Sequence, residues 1–378
     1  MTIVSLMSCE LKVFLQQIED LGLSLCLVGG APRDFLARKE LSQDLDFEIR
    51  GKKSSVLKDY LEKNHIKFTQ LPYEILRVDF QGFDLEFSTP RIEETIPGNK
   101  SHHHFDVTFD PRLSYAEAFK RRDFTINAIG MELEIKNEKE RIVDPYNGVD
   151  DLKAKKLKMV SENFFLDPVR FLRLVRFSVK YHLAIDESIE KKLGKFDLTE
   201  LSIHHFTEEM MKSNFPGLFI NRFNELVQRH HLVLPESFQL FAKILFTREV
   251  KTREDLLAAV FLQKREAAAM ASHFFSMPEK KLKDLKSFDE SFEIIKGTSK
   301  ADFVAIANAP LKESNVLRHL KNLEEKKEWR KYYEEKLPLS WEDWASVMVD
   351  VHEVEKILPP LRSYLRYYKT IQKVFGDV

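Results

Sequence analysis

Cysteine and glycine are scarce in this chain of 378 residues, and neither sign of charge is in excess. Two cysteines, Cys9 and Cys26, exclude a disulfide framework and a multi-cysteine zinc set. Cys26 lies in an apolar run and reads as core packing. Twelve glycines beside abundant leucine, phenylalanine and lysine suit a mostly helical protein. The net charge of −1 means that a polyanionic partner would need basic residues concentrated locally. No apolar run has membrane length. The opening stretch lacks the basic leader of a secretion signal, so a cytoplasmic protein is expected. No internal repeat or low-complexity tract is visible. The length allows two or three domains.

What is present centres on Asp44 and Asp46, about a dozen residues after Gly29-Gly30-Ala31-Pro32-Arg33-Asp34. On an extended strand these two carboxylates share one face, while Leu45 and Phe47 point into a core. Adjacent carboxylates repel unless a cation lies between them, and hard oxygen ligands suit magnesium or manganese. A lone D-x-D is more often a solvated strand end. Here the upstream glycines weigh against that reading. Residues 24–28 form a short apolar run into Gly29-Gly30, followed by Pro32 at a helix start. Such a turn presents bare N–H groups at a helix N-terminus, which favours phosphate. Gly30 would line that cradle, and Arg33 would add a charged fork.

A third carboxylate is expected from a neighbouring strand. Residues 76–80 and 83–87 alternate about Gln81-Gly82, as a hairpin does. Asp84 and Glu86 share one face of the second run, and either would complete the acidic set. Glu86 is favoured because Thr89-Pro90-Arg91 follows it closely.

Further along, Arg170, Arg173 and Arg176 recur every three residues on an apolar helix. They form a drifting basic stripe at a buried edge, suited to acidic or nucleotide partners. Asp167, ahead of Pro168, would cap that helix. Near the C-terminus, Arg362, Arg366, Lys369 and Lys373 share one helical face, which would either follow an RNA backbone or simply meet solvent.

The motifs taken together resemble a known family. Gly29-Gly30-Ala31-Pro32-Arg33-Asp34 with Asp44-Leu45-Asp46, then Arg121-Arg122-Asp123-Phe124-Thr125-Ile126-Asn127-Ala128, then Asp144-Pro145-Tyr146-Asn147-Gly148, then Asp167-Pro168-Val169-Arg170 stand in the order found in class II tRNA nucleotidyltransferases and bacterial poly(A) polymerases. Leu166 stands where that family usually has an acid, a departure that bears on base selection. The resemblance covers about the first 180 residues. It implies a two-metal transfer using Mg2+ or Mn2+, with Asp44 and Asp46 as metal ligands and Glu86 beside them. It implies that Arg122 meets the triphosphate, that Asp123 lies near the ribose, and that Asp167 with Arg170 reads the edge of the incoming base. The expected activity is addition of the 3′-terminal CCA to tRNA from CTP and ATP without a nucleic-acid template. Alternatives are a poly(A) polymerase and a partial enzyme adding only A or only CC. A non-catalytic RNA-binding module and a metal phosphohydrolase are weaker readings, the last because no H-D pair marks a separate hydrolase domain.

The expected fold class is α+β. A nucleotidyltransferase head with a mixed sheet would span 1–150, a helical neck carrying the base-selecting motif 151–200, and a helical body and tail for tRNA binding 201–378. Strand-like runs are confined to about the first 145 residues. Helices are expected at 186–193, 207–211, 255–275 and 315–336. Residues 92–112, with Pro97-Gly98-Asn99 and three histidines from His102, resemble the family's flexible loop.

Overall fold

The computed structural model describes residues 2–95, 105–241, 243–296, 370–371 and 373–375. They fall into two compact units, one of residues 1–198 with 230–232, the other of 199–229 with 233–378. The boundary expected between 150 and 151 lies inside the first unit, and the one at 200 lies close to the division.

The first unit is built on a seven-stranded mixed sheet. Helix α1 (Cys9–Asp20) leads into β1 (Ser24–Val28), α2 (Gly30–Arg38), β2 (Asp44–Arg50), α3 (Ser54–Lys63), β3 (Thr69–Leu71), β4 (Ile75–Phe80) and β5 (Phe83–Ser88). A separate two-stranded ribbon pairs β6 (Arg91–Thr95) with β7 (Phe105–Phe109). Then come α4 (Tyr115–Phe119), β8 (Gly130–Glu134), β9 (Lys139–Val143), α5 (Gly148–Lys153), β10 (Lys156–Leu157), α6 (Pro168–Lys180), β11 (Ala184–Ile185) and α7 (Glu187–Glu190). The strand order is β3-β4-β5-β2-β1-β8-β9, and only the β2–β5 pair within it is parallel.

Period-two alternation sorts the sheet into an oily and a polar face. Leu45, Phe47 and Ile49 of β2 join Leu25, Leu27, Leu76, Val78, Leu85 and Phe87 on the buried side. Leu11, Phe14, Leu15 and Ile18 of α1, with Leu57 and Leu61 of α3, cover it. Those α1 positions follow helical spacing. Ser8 caps the helix, its hydroxyl accepting from the Leu11 N–H at 3.2 Å. Phe47 and Phe87 stack at 5.3 Å between centroids across the parallel pair. Truncating either to alanine would cost about 3–5 kcal/mol. With this face closed, the acidic side chains of β2 and β5 are left on the other one.

The second unit, among the described residues, is helical: α8 (Ile203–Lys212), α9 (Pro216–Arg229), α10 (Arg253–Gln263), α11 (Ala268–Phe274) and α12 (Glu279–Lys296). Its core is aromatic, with Phe206 ringed by Phe219, Phe223, Phe238, Phe241 and Phe274. The continuous helix expected over 255–275 is broken at Lys264 into α10 and α11, with a 3-10 turn between. The expectation of strands only before residue 145 also needs correcting, because β10 and β11 pair in parallel behind α6. The helix expected over 315–336 lies outside the described residues, as do Arg362, Arg366, Lys369 and the histidines 102–104.

Candidate active site

The chain of β1 ends in a turn that only glycine makes comfortably. Gly29 adopts φ +76° and ψ −128° and precedes α2. A Cβ on Gly29 would stand 2.6 Å from Oδ2 of Asp46, so the glycine turn and the second aspartate are in direct apposition. The register explains it, since Val28 pairs with Asp46 across the antiparallel β1–β2 ladder.

On the other side of β2, the parallel ladder sets Asp44 opposite Asp84 and Asp46 opposite Glu86. Four carboxylates from two strands therefore share one patch of the polar face. Their electrostatics agree. Asp46 is solvent-accessible, yet protein closes around it, and that desolvation raises its carboxyl above the ordinary range. The Arg122 charge opposes this, while Asp44 and Asp84 add to it. Burial likewise raises Glu86, helped by Asp46, Asp84 and Asp44 and opposed by Arg77. Arg77 is itself forked onto Asp84, Nε to Oδ1 at 2.8 Å, so Glu86 is the less committed of the two acids on β5.

A patch of carboxylates that destabilise one another's charge suits a hard divalent cation. Among the described residues, no group of three His, Cys, Asp or Glu side chains forms a ready-made metal cage. Two carboxylates completed by substrate phosphate oxygens and water is the usual arrangement for magnesium. Asp44 and Asp46 fit that description.

The arginine-rich motif comes next in space as well as in chain. Arg121 and Arg122 follow α4, which Ser114 and Glu117 cap reciprocally. Arg122 lies over the Phe119 ring at 5.0 Å, and its charge acts on Asp46.

Asp123 is placed differently from the expectation. Its Oδ1 accepts from the Phe124 N–H at 2.8 Å and from Asn127 Nδ2 at 3.0 Å, and its Oδ2 accepts from Arg173 Nε at 2.6 Å. Burial by itself would raise this carboxyl, but Arg173, Asn127 and the Phe124 amide outweigh it and hold the pKa near about 2. Both oxygens thus face protein donors, which gives Asp123 a bracing role. The same holds for Arg173, the partner in that brace.

Arg33 is also held by protein partners. It is 6% exposed, and every nitrogen of its guanidinium has a protein acceptor. Nε donates to Asp34 Oδ1 at 2.9 Å, Nη1 to Asn127 Oδ1 at 2.5 Å, and Nη2 to Asp34 Oδ2 at 3.0 Å and Tyr181 OH at 2.9 Å. It also lies over the Phe177 and Tyr181 rings. It ties α2 to the 124–127 turn and to α6, and is not a free fork at the phosphate cradle. Gly30 remains at that cradle, at the first position of α2.

The other motifs lock onto the same turn. Asp144 caps α5 through the Gly148 and Val149 amides at 2.7 and 2.9 Å. Asp151 accepts from Thr125 Oγ1 at 2.7 Å. A Cβ on Gly148 would fall 2.1 Å from the Thr125 carbonyl oxygen, so only glycine permits this packing.

At the start of α6, Asp167 caps the helix, Oδ1 accepting from Val169 N at 2.9 Å. Its Oδ2 stands 3.9 Å from Arg170 Nε. Arg170 Nη2 donates to the Arg121 carbonyl at 2.7 Å, while Nη1 is buried without a hydrogen-bond partner. An acceptor and a donor are thus held side by side. Arg176 lies over Phe177 at 4.7 Å on the same helix. Lys373, in the second unit, pairs with Asp255 at 3.2 Å, an intramolecular role for the one described member of the expected RNA-binding face.

One acidic residue escaped the sequence reading. Glu48 follows Asp44 and Asp46 at the next same-face position of β2, and it is wholly buried. The D-x-D-x-E alternation was the available signal.

The glycine turn, the in-register carboxylates and the arginine motif lie together in the first unit. The sequence profile described as the Poly A polymerase head domain matches residues 25–158. Over those residues the chain is similar to the head domain of poly(A) polymerases. A CCA-adding enzyme from Lactobacillus helveticus is 32% identical over 203 residues, 52% of this chain and 48% of that protein. A multifunctional CCA protein from Mannheimia succiniciproducens is 29% identical over 232 residues, 57% of this chain and 50% of that protein. The match to these curated relatives thus spans about half their length. In fold, the chain resembles the Bacillus stearothermophilus CCA-adding enzyme crystallised with CTP, at a TM-score of 0.57 and 20% identity over 97% of this chain and 83% of that one. No described helix is long and apolar enough to cross a membrane.

Proposed function

We propose that this protein adds the 3′-terminal CCA to tRNA, using CTP and ATP without a nucleic-acid template. The observation that carries this reading is the in-register set Asp44, Asp46, Asp84 and Glu86 against the Gly29 turn. Asp44 and Asp46 would hold Mg2+ or Mn2+, two ions in the full reaction, with Glu86 beside them. Bound divalent metal supplies charge neutralisation at the phosphates and a more acidic attacking hydroxyl.

The chain's own residues do the rest. The amides at Gly30 and the head of α2 favour the triphosphate. Arg122, on its Phe119 shelf, adds a cation on the same side of Asp46. The tRNA 3′-hydroxyl attacks the α-phosphate and pyrophosphate leaves, with no protein nucleophile. Positioning and electrostatics supply most of the acceleration in phosphoryl transfer. Asp167 Oδ2 and Arg170 Nη1 offer an acceptor beside a donor, a pattern that matches C and A and mismatches G and U.

The nearest alternative is poly(A) synthesis, favoured by the identity of the matched head-domain profile. The relatives named CCA-adding enzyme and multifunctional CCA protein weigh toward CCA addition. One assay separates the readings. The protein is given tRNAs ending before CCA, after C and after CC, with CTP or ATP singly. Addition of C, C and A in turn, then arrest, is expected. Long A-tails on unstructured RNA would establish the polymerase, and addition of only A or only CC would establish a partial enzyme. In keeping with these substrates, we place the protein in the cytoplasm.

A further inference from the structure

We propose that Glu48 is a positioning residue, holding the Arg121 and Arg122 guanidiniums toward the triphosphate from beneath the carboxylate patch. This rests on the nucleotidyltransferase reading but makes a separate claim about nucleotide binding.

The geometry is specific. Glu48 shares the polar face of β2 with Asp44 and Asp46, lying four and two residues after them, and no part of it reaches solvent. Its Oε2 accepts from Arg50 Nη2 at 3.0 Å. Its Oε1 has no hydrogen-bond partner, yet stands 3.8 Å from Arg121 Nη2 and 3.9 Å from Arg122 Nη2. One buried carboxylate thus answers three guanidiniums. Arg50 is fixed elsewhere, donating to the Leu113 carbonyl and lying over the Tyr115 ring. Glu48 reaches Arg121 and Arg122 by charge, at distances where a hydrogen bond is not yet formed.

The surroundings leave these two arginines short of partners. Nε of Arg121 and Nε of Arg122 are both buried without a hydrogen bond. Glu93, 3.8 Å from Arg121, is the other anion of the cluster and already accepts from Arg91 Nε at 2.8 Å. Four arginines (50, 91, 121 and 122) therefore face two glutamates, leaving a net positive charge. The crowding is visible in Arg121, whose pKa falls to about 10 through burial and the neighbouring Arg122 and Arg91, with Glu93 and Glu48 opposing. A buried cationic cluster with unused donors, beside Asp46, suits an incoming polyphosphate. Without the Glu48 charge the guanidiniums would repel one another, and Arg122 would lose its placement between Glu48 and Asp46. Attraction at such distances is strong where water is excluded.

The test is a double-mutant cycle read by equilibrium binding of Mg·CTP to the full chain, with thermal unfolding measured alongside. Glu48→Gln keeps the shape and removes the charge, and should weaken Mg·CTP binding about tenfold. Arg122→Ala should weaken it at least as much. Because Glu48 acts through Arg122, the double variant should bind within about twofold of Arg122→Ala alone. Unchanged affinity in Glu48→Gln, or fully additive losses, overturns the proposal, even if the unfolding temperature drops. Glu48→Asp retains the charge one methylene farther away and covers the case of an unfolded Gln variant. It should raise the KM for CTP about threefold with kcat kept, and an unchanged KM overturns the proposal. A chain that binds Mg·CTP in a Glu48-dependent way but extends no tRNA would retain this inference and remove the reading in Proposed function.

Discussion

Asp46 and Glu86 stand opposite one another on paired parallel strands, and the Asp46 charge is part of what holds the Glu86 carboxyl above its usual range. Two acids placed to raise each other's cost of ionisation are stabilised only by a cation. Asp46→Asn should therefore abolish nucleotide transfer, by about a thousandfold or more, since a metal ligand supplies several kcal/mol of transition-state stabilisation. Glu86→Gln should lower transfer less. Single-turnover rates at saturating magnesium check this, with circular dichroism confirming the fold. Equal, small losses in both would remove the assignment of Asp46 as the primary ligand.

Arg170 offers a second measurement. Its Nη1 lacks a partner while Nη2 holds the Arg121 carbonyl. Arg170→Ala should relax the choice of C and A over U and G by about 10-fold or more, with a smaller effect on triphosphate affinity, because a lost bidentate reader costs about 1–3 kcal/mol. Misincorporation assays with each nucleotide singly give the ratio, and unchanged selectivity would reject the templating role.

Gly29 and Gly82 make a matched pair. Both have positive φ, at +76° and +83°, but only at Gly29 would a Cβ meet Asp46, while Gly82 has open space around it. Each Ala substitution should cost about 1–3 kcal/mol of stability for the backbone conformation. Only Gly29→Ala should also suppress transfer, by displacing the Asp46 carboxylate. Urea unfolding and initial rates on the two variants separate these effects.

The Asp123–Arg173 brace sets a pH dependence. Asp123 has a folded pKa near about 2, below its unfolded value near about 3.9. A depressed acid contributes stability that is complete above the unfolded pKa and is lost as pH falls through the folded one. The contribution at neutral pH is about 2–3 kcal/mol. Asp123→Asn should lower the unfolding free energy by about that amount at pH 6, and the gap from wild type should close between about pH 4 and pH 2. A gap independent of pH would show that the pair carries no charge-based stability.

The separation of acids and hydrophobes on β2 was legible because a strand has a period of two and the letters alternate over Asp44-Leu45-Asp46-Phe47. The capping role of Asp167 was equally plain, since Asp-Pro at the head of an apolar helix has few other uses. Arg33 and Asp123 were harder. Their motif context pointed to the nucleotide, but Asn127 and Tyr181, which bind Arg33, and Arg173, which binds Asp123, lie about 50 to 150 residues away from them in the chain. No local pattern reveals that a charge is already satisfied. The break in the helix over 255–275 was missed for a related reason, because Gln263-Lys264-Arg265-Glu266 suits an exposed helical turn and contains no proline or glycine to mark the break.

The amino-acid sequence by itself determined which side chains share a strand face, where helices begin, and that a glycine turn precedes a pair of acids. These follow from local geometry and short-range hydrogen bonding. Tertiary structure alone decided which charges are open and which are used up, because that depends on what folds against them. It set Glu86 rather than Asp84 as the freer acid, by placing Arg77 on Asp84. It turned Arg33 and Asp123 into braces, and it buried Glu48 among arginines drawn from separate parts of the chain.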